Sequence, residues 1–560
     1  MHASNLISRD EADTQNWTLP YFFKTLIFYK TKKMNFLEQS KWSIISYGLL
    51  YKKTATILIA FCFFSTLLAQ KTPKVNLKKL DKYYTQMVKD WDVPSATIGI
   101  VKDGELVFTG SYGVKENGKN GKPDENTLYA IASNSKAFTS TILGMLVEEG
   151  KLKWNDKVKN YLPYFALYDP WVSNEVTIKD LLSHRVGLGT FSGDVIWYKS
   201  NLSSEEIVKR IKHVPAAYNF RAGFGYSNVM YITAGEVIKK ITGKTWAENV
   251  KERIFEPLGM DRTITSPKNL DLKGNFATPH AREKDNNIPI AWEDWEEIGA
   301  LGGVISSVND VSKWMILNLN HGMSGTDTIF SKKTRNIVWT PHNNFYVNHT
   351  KKNDFNRHFN AYGLGWGLSD YHGYLRVGHT GGFDGMITAI TMIPDKNLGI
   401  VVLTNGMNSP IMAATYYGLD QFLGVETIDW SAKILAARAK NQKEDTRVAD
   451  RKKAHILNTK PSIPIEDYTG IYTSNIYGEI TISKKDDALR MDFEHSPNLS
   501  ATLRHWHYDV YEIIWDVKHA WFNFGTLKFN LDNNLKVKGI DFDVPNDDIF
   551  FEELKPYRNN

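Results

Sequence analysis

Beyond residue 75 the spacing of apolar and polar positions divides the chain into recognisable elements. Residues 76–91 place Leu77, Leu80, Tyr83, Tyr84 and Met87 at helical intervals, so one helix face is apolar. Two strand-like runs follow, 96–101 and 106–112, joined by the turn residues Lys102-Asp103-Gly104. Three more strand-like runs lie far downstream at 374–377, 386–392 and 398–403, before a helix over 411–422 that stops at Gly424. A helix and two strands at one end, with three strands and a helix at the other, predict an antiparallel sheet closed by both ends of a domain. The mostly helical stretch between them is then an insertion.

From 431 to 453 the pattern loses its apolar stripe and becomes alanine mixed with charge, which reads as a solvated helical linker. After Pro461 and Pro464 the period changes to two, as in Glu479-Ile480-Thr481-Ile482 and Leu489-Arg490-Met491-Asp492-Phe493. Short strands at close spacing predict a small all-β barrel or sandwich over 465–555. At the other end, Lys52-Lys53 precedes an apolar run over 54–68 closed by Ala69-Gln70, the layout of a cleaved export signal. The run is shorter than the roughly 20 residues of a spanning helix, so a retained membrane anchor is the lesser expectation. The segment before Met34 has no pattern of its own, and translation is expected to start at Met34 or later. The expected division is therefore a targeting segment over 1–70, a larger domain over 71–428, a linker over 429–462 and a β domain over 463–556.

Composition narrows the chemistry. The 560 residues carry a net charge of only +6 with no long basic block, which gives no case for a nucleic-acid partner. The single cysteine, Cys62, excludes an intramolecular disulfide framework and any cysteine-rich metal site. Any chemistry must come from oxygen and nitrogen side chains.

Three segments carry such groups. Ser133-Asn134-Ser135-Lys136 is the only Ser-x-x-Lys in the chain, and it opens an apolar helical run that stops at Gly150. On a helix this spacing sets both side chains on one face, and a helix start offers free N–H groups and the positive dipole end to a developing anion. Ser133 alone would pass for an N-cap. Tyr226-Ser227-Asn228 stands between a glycine-rich turn and a second helical run, whereas Tyr346-Val347-Asn348 has the same spacing in a polar stretch without such context. His379-Thr380-Gly381-Gly382 follows the strand-like run at 374–377, where small residues leave backbone N–H groups open to a ligand.

In this order, the three motifs resemble those of the serine β-lactamase and D-alanyl-D-alanine peptidase superfamily, in its class C and esterase-like branch. Thr177-Ile178-Lys179-Asp180-Leu181-Leu182-Ser183-His184, Gly302-Gly303 and Tyr362-Gly363-Leu364-Gly365-Trp366 resemble its landmarks over about 75–425. Residues 465–555 are similar to the lipocalin-like β domain of some peptidases in that branch, through Tyr468-Thr469-Gly470-Ile471-Tyr472. The resemblance implies an α/β (α+β sandwich), transpeptidase-like fold followed by an all-β barrel. It implies that Ser133 is the acylated nucleophile and that Lys136 and Tyr226 supply its base. Both have reference pKa values near 10, so either would need a shift of about 3 units to act at pH 7, and the sequence does not choose between them. Asn228 would hold Lys136 and the substrate amide, and the N–H groups of Ser133 and Gly382 would form the oxyanion hole. Where β-lactamases of this superfamily usually have Lys-Thr-Gly, this chain has His379, mostly neutral at pH 7 and poor at capturing a carboxylate.

The expectation is an exported, periplasmic or extracellular serine hydrolase acting on peptide (D-amino-acid-containing) or ester bonds of a small-molecule or peptide substrate, with neither a metal nor a cofactor needed. A penicillin-hydrolysing enzyme and a silent ligand-binding or sensor protein are the alternatives. The β domain is expected to cap the cleft or to mediate a homo-oligomer. Trp292-Glu293-Asp294-Trp295-Glu296-Glu297 reads as a solvated acidic loop, with an aromatic rim for a substrate amine as the alternative. His505-Trp506-His507 reads as a surface pair, with a metal site as the alternative.

Overall fold

The structure, a computed structural model, describes residues 75–558 apart from 349, 351–353 and 356. The expected leader at 54–68, Met34 and Cys62 lie outside the described residues. Among the described residues no helix is long and apolar enough to cross a membrane.

Asn76 caps the first helix, α1 (Leu77–Asp90), by accepting from Lys79 N–H at 3.0 Å. Strands β1 (Ser95–Lys102) and β2 (Glu105–Gly113) form the expected hairpin. The inserted region contains α2 (Ser135–Glu148) and α3 (Asn228–Thr242), the latter ended by Gly243 in the left-handed conformation. The chain then returns through β3 (Asn343–Phe345), β4 (Asn360–Tyr362), β5 (Gly367–Tyr371), β6 (Tyr374–Phe383), β7 (Met386–Ile393) and β8 (Leu398–Thr404). Helix α4 (Ile411–Leu423) follows. All eight strands make one antiparallel sheet in the order β2-β1-β8-β7-β6-β5-β4-β3.

Both faces of that sheet are covered, which is why β8 reads as an unbroken apolar run. Ile400 and Val402 face α1 and α4, while Val401 and Leu403 face the inserted helices. Helix α2 is buried from Ser135 through Leu146, so it has no polar face to present to water.

Strand β6 is longer than its apolar pattern predicts. His379, Thr380, Gly381 and Gly382 lie within it rather than beyond its end, because β7 pairs with all of them from Ile390 to Ile387. On the other side, pairing with β5 stops at Gly378. The β6 edge from His379 to Phe383 is therefore open.

The linker forms two largely exposed helices, Trp430–Glu444 and Arg447–Lys453. Eight further strands, β9 (Gly470–Ser474), β10 (Gly478–Lys485), β11 (Ala488–Phe493), β12 (Ala501–His507), β13 (Val510–Trp515), β14 (Thr526–Leu531), β15 (Val537–Asp543) and β16 (Tyr557–Arg558), close into a barrel in sequence order. Full closure leaves no sheet edge to protect. His505 and His507 are engaged at its rim with Tyr508 O and Ile456 N–H, and among the described residues no group of three ligands could hold a metal.

Candidate active site

Ser133 lies in the 3₁₀ turn Ala132–Asn134 that runs into α2. Its neighbour Ala132 is held at φ +47°, a left-handed conformation that costs a residue with a Cβ about 1–2 kcal/mol. Strain at this point turns the serine out of the core: Ser133 is half-buried while Ala132 and Asn134 are fully buried. The Asn134 amide locks the turn, donating to Ile131 O at 2.9 Å and to Thr388 Oγ1 of β7 at 3.0 Å. Gly381 faces the same turn, and a Cβ there would stand 2.1 Å from Ile131 O, so only glycine lets β6 approach.

Lys136 is wholly buried. Its Nζ donates to Ser133 Oγ at 3.0 Å, to Asn228 Oδ1 at 2.7 Å and to Leu301 O at 2.8 Å, just ahead of the Gly302-Gly303 landmark. Burial pushes its pKa down to about 7, partly opposed by the Asp194 carboxylate. Tyr226 lies beside it, with Nζ 4.9 Å from the ring centroid. The Tyr226 hydroxyl is buried without a well-formed hydrogen bond, and burial drives its pKa far above the phenol range. The neighbouring Ser133 hydroxyl is the one group that pulls it back. The sequence leaves lysine and tyrosine level; burial separates them, favouring neutral amine and neutral phenol together.

The turn before α3 is held from two sides. His184 Nδ1 accepts from Ser227 N–H at 3.0 Å, and its ring lies 4.4 Å from the Tyr226 ring. Asn228 Nδ2 donates to Asp194 Oδ2 at 2.6 Å, which fixes its Oδ1 toward Lys136. Asp194 is buried, also accepts from Trp197 Nε1 at 2.9 Å, and has its pKa raised to about 8 by desolvation. Sequence reasoning missed Asp194. Its only local signal is an acid between Gly193 and the apolar Val195-Ile196-Trp197, which any short helix start would give.

His379 faces the same space. Tyr362 Oη donates to its Nε2 at 2.9 Å, and its Nδ1–H donates to Thr380 O at 2.5 Å. Burial, with the Lys136 charge adding, pushes its pKa down to about 3, so it is neutral at any working pH. Next to that space a cavity of about 260 Å³ is lined by Tyr226, Tyr362, His379 and the exposed Thr380 together with Arg376, Thr391 and Met412, and not by Ser133 or Lys136. The barrel closes in near Gly382, where a Cβ would meet the Trp521 ring at 2.9 Å. From the opposite side Trp292 and Trp295 pack on Phe383. The carboxylates of their loop are used locally: Glu293 pairs with Lys199, Asp294 with Lys268, and Glu297 caps Ser204.

The chain belongs to the beta-lactamase family, whose model matches residues 80–421. A second model, described as Domain of unknown function (DUF3471), matches residues 454–556. Among curated relatives, an "Unguisins hydrolase ungD'" from Aspergillus campestris is 29% identical over 433 residues, covering 72% of this chain and 78% of that protein. "Protein flp" from Staphylococcus aureus is 27% identical over 340 residues, covering 59% of this chain and 63% of that one. Among solved structures, an octameric penicillin-binding protein homologue from Pyrococcus abyssi superposes with a TM-score of 0.56 at 21% identity, over 84% of this chain and 98% of that one. That likeness spans both the sheet domain and the barrel. The protein is thus a β-lactamase-like member of the serine hydrolases, with relatives named as hydrolases.

Proposed function

We propose that the protein is an exported peptidase or esterase that works through an acyl-enzyme on Ser133. The observation that carries this reading is the buried Lys136 amine, 3.0 Å from Ser133 Oγ and with a pKa near 7. A hydroxyl is a poor nucleophile until a base takes its proton, and an amine with a pKa near ambient pH is matched to that task. Neutral Lys136 takes the proton as Oγ attacks the acyl carbon. The N–H groups of Ser133 and Gly382 receive the oxyanion. On collapse the C–N or C–O bond breaks, and the proton held by Lys136 returns through the Tyr226 hydroxyl to the departing amine or alcohol. Water then clears the ester with the same groups in reverse.

Neutral His379 supports peptides and esters over β-lactams, since the cation that would receive a β-lactam carboxylate is missing from that position. The relatives named as unguisins hydrolases support hydrolysis as the reaction class. Export rests on the apolar run at 54–68 behind Lys52-Lys53. The test is a panel of a short-chain aryl ester, D-amino-acid peptides and a chromogenic cephalosporin. Ester or D-peptide turnover at least about tenfold faster than cephalosporin turnover is expected, a gap of about 1.4 kcal/mol in barrier. The reverse order would make the protein a β-lactamase, and no acylation by any of them would leave a silent binding protein.

A further inference from the structure

Besides the Trp521 ring at Gly382, the barrel sends one carboxylate to the loop that carries Asp194. Glu553 ends a 3₁₀ turn, Phe551–Glu553, whose Phe551 is buried in the barrel core against Trp515 and Phe522. Its Oε2 accepts from Gly193 N–H at 2.8 Å, and its Oε1 accepts from the Ser192 hydroxyl. Ser192 and Gly193 belong to a loop that holds the Tyr226-Ser227-Asn228 motif at both ends. Phe191 N–H donates to Tyr226 O at 2.8 Å, and Tyr226 N–H donates to Thr190 Oγ1 at 3.1 Å. Asp194 then receives the Asn228 amide at 2.6 Å, and Asn228 receives Lys136 at 2.7 Å.

The loop is not self-supporting. Phe191 is held at φ +62°, a conformation that costs a bulky side chain about 1–2 kcal/mol and persists only where surroundings enforce it. Within the loop, Asp194 N–H to Phe191 O and Ser192 N–H to Gly189 O are the backbone bonds. Other barrel hydrogen bonds land further along the chain, at Tyr198 O and Asn201 N–H, while the Asp548 carboxyl acts on Asp194 through charge alone.

We propose that Glu553 is a positioning residue: a barrel carboxylate that fixes the 190–194 loop, and through it sets Tyr226 and Asn228 against Ser133 and Lys136. The barrel, matched by a domain model of unknown function, is on this view part of the catalytic unit. The inference rests on the acyl-enzyme reading above.

The test uses the full chain and an uncharged fluorophosphonate, separating the inhibition constant from the rate constant of acylation. Wild type must first be modified at Ser133; failure there overturns the acyl-enzyme reading and this inference with it. Given a reactive wild type, Glu553→Ala is expected to slow acylation about tenfold to a hundredfold at an unchanged inhibition constant, the range a displacement of about 1 Å produces. Glu553→Gln keeps an acceptor for Gly193 N–H and is expected to stay within about threefold of wild type. Glu553→Asp keeps the charge but falls short by one carbon, and is expected to share the loss; it also serves if the alanine variant does not fold. In an Asp194→Asn background, which weakens the Asn228 branch and leaves the Tyr226 branch, the Glu553→Ala effect is expected to shrink without vanishing, because coupled sites are not additive. Wild-type acylation in Glu553→Ala or Glu553→Asp, or full multiplication of the two effects in the double variant, would overturn the proposal and leave Glu553 as interdomain glue.

Discussion

Ser133→Ala is expected to abolish fluorophosphonate labelling and to lower ester or peptide turnover by about 10⁴-fold or more. The size of the loss follows from the lack of any substitute. Ser135, the nearest other hydroxyl in the motif, is wholly buried and accepts from Val304 N–H at 3.0 Å. Ser140, further along α2, is likewise buried. The variant is expected to fold, since it loses one hydrogen bond from Lys136 Nζ, worth about 1 kcal/mol. Labelling of the folded variant at any site would contradict the nucleophile assignment.

The second large effect is expected from Lys136→Met, a replacement close in length and volume that removes the amine. Acylation should fall by about 10³-fold, the usual contribution of a general base. Asn228 Oδ1 and Leu301 O each lose a donor, which costs about 1–3 kcal/mol per buried group. Against that, the buried amine no longer has to be kept from water, so much of the penalty is offset. Circular dichroism and thermal unfolding should therefore show a folded protein with nearly no acylation. Acylation within about tenfold of wild type would move the base from Lys136 to Tyr226.

Much of this site is legible along the chain. The sheet ends, the helix caps and the three motifs have short-range signatures, because each depends on spacing within one element or on a glycine that a close approach requires. Gly381 shows both the reach and the edge of such reading. Its smallness announces an open backbone, yet the contact with Ile131 O that demands it lies some 250 positions away. The same holds for the length of β6: Gly381-Gly382 has no strand propensity of its own, and its extended form comes from pairing with β7. Asp194 and Glu553 leave no distinctive trace in the sequence. Each is an ordinary acidic residue made special by burial against a partner on another element. The choice between Lys136 and Tyr226 as base was hidden for the same reason, because desolvation is a property of the packed site.

That choice is the centre of the mechanism, and the pH dependence of kcat/KM for a neutral aryl ester tests it directly. The amine must be unprotonated to accept the Ser133 proton, so the reactive form is lost as pH falls through the lysine pKa. A kcat/KM that is level above an inflection at about 7 and declines tenfold per pH unit below it is expected for the free enzyme. A rate that instead keeps climbing toward pH 10, with no inflection near neutrality, would show an ordinary ammonium at Lys136 and contradict it as the base.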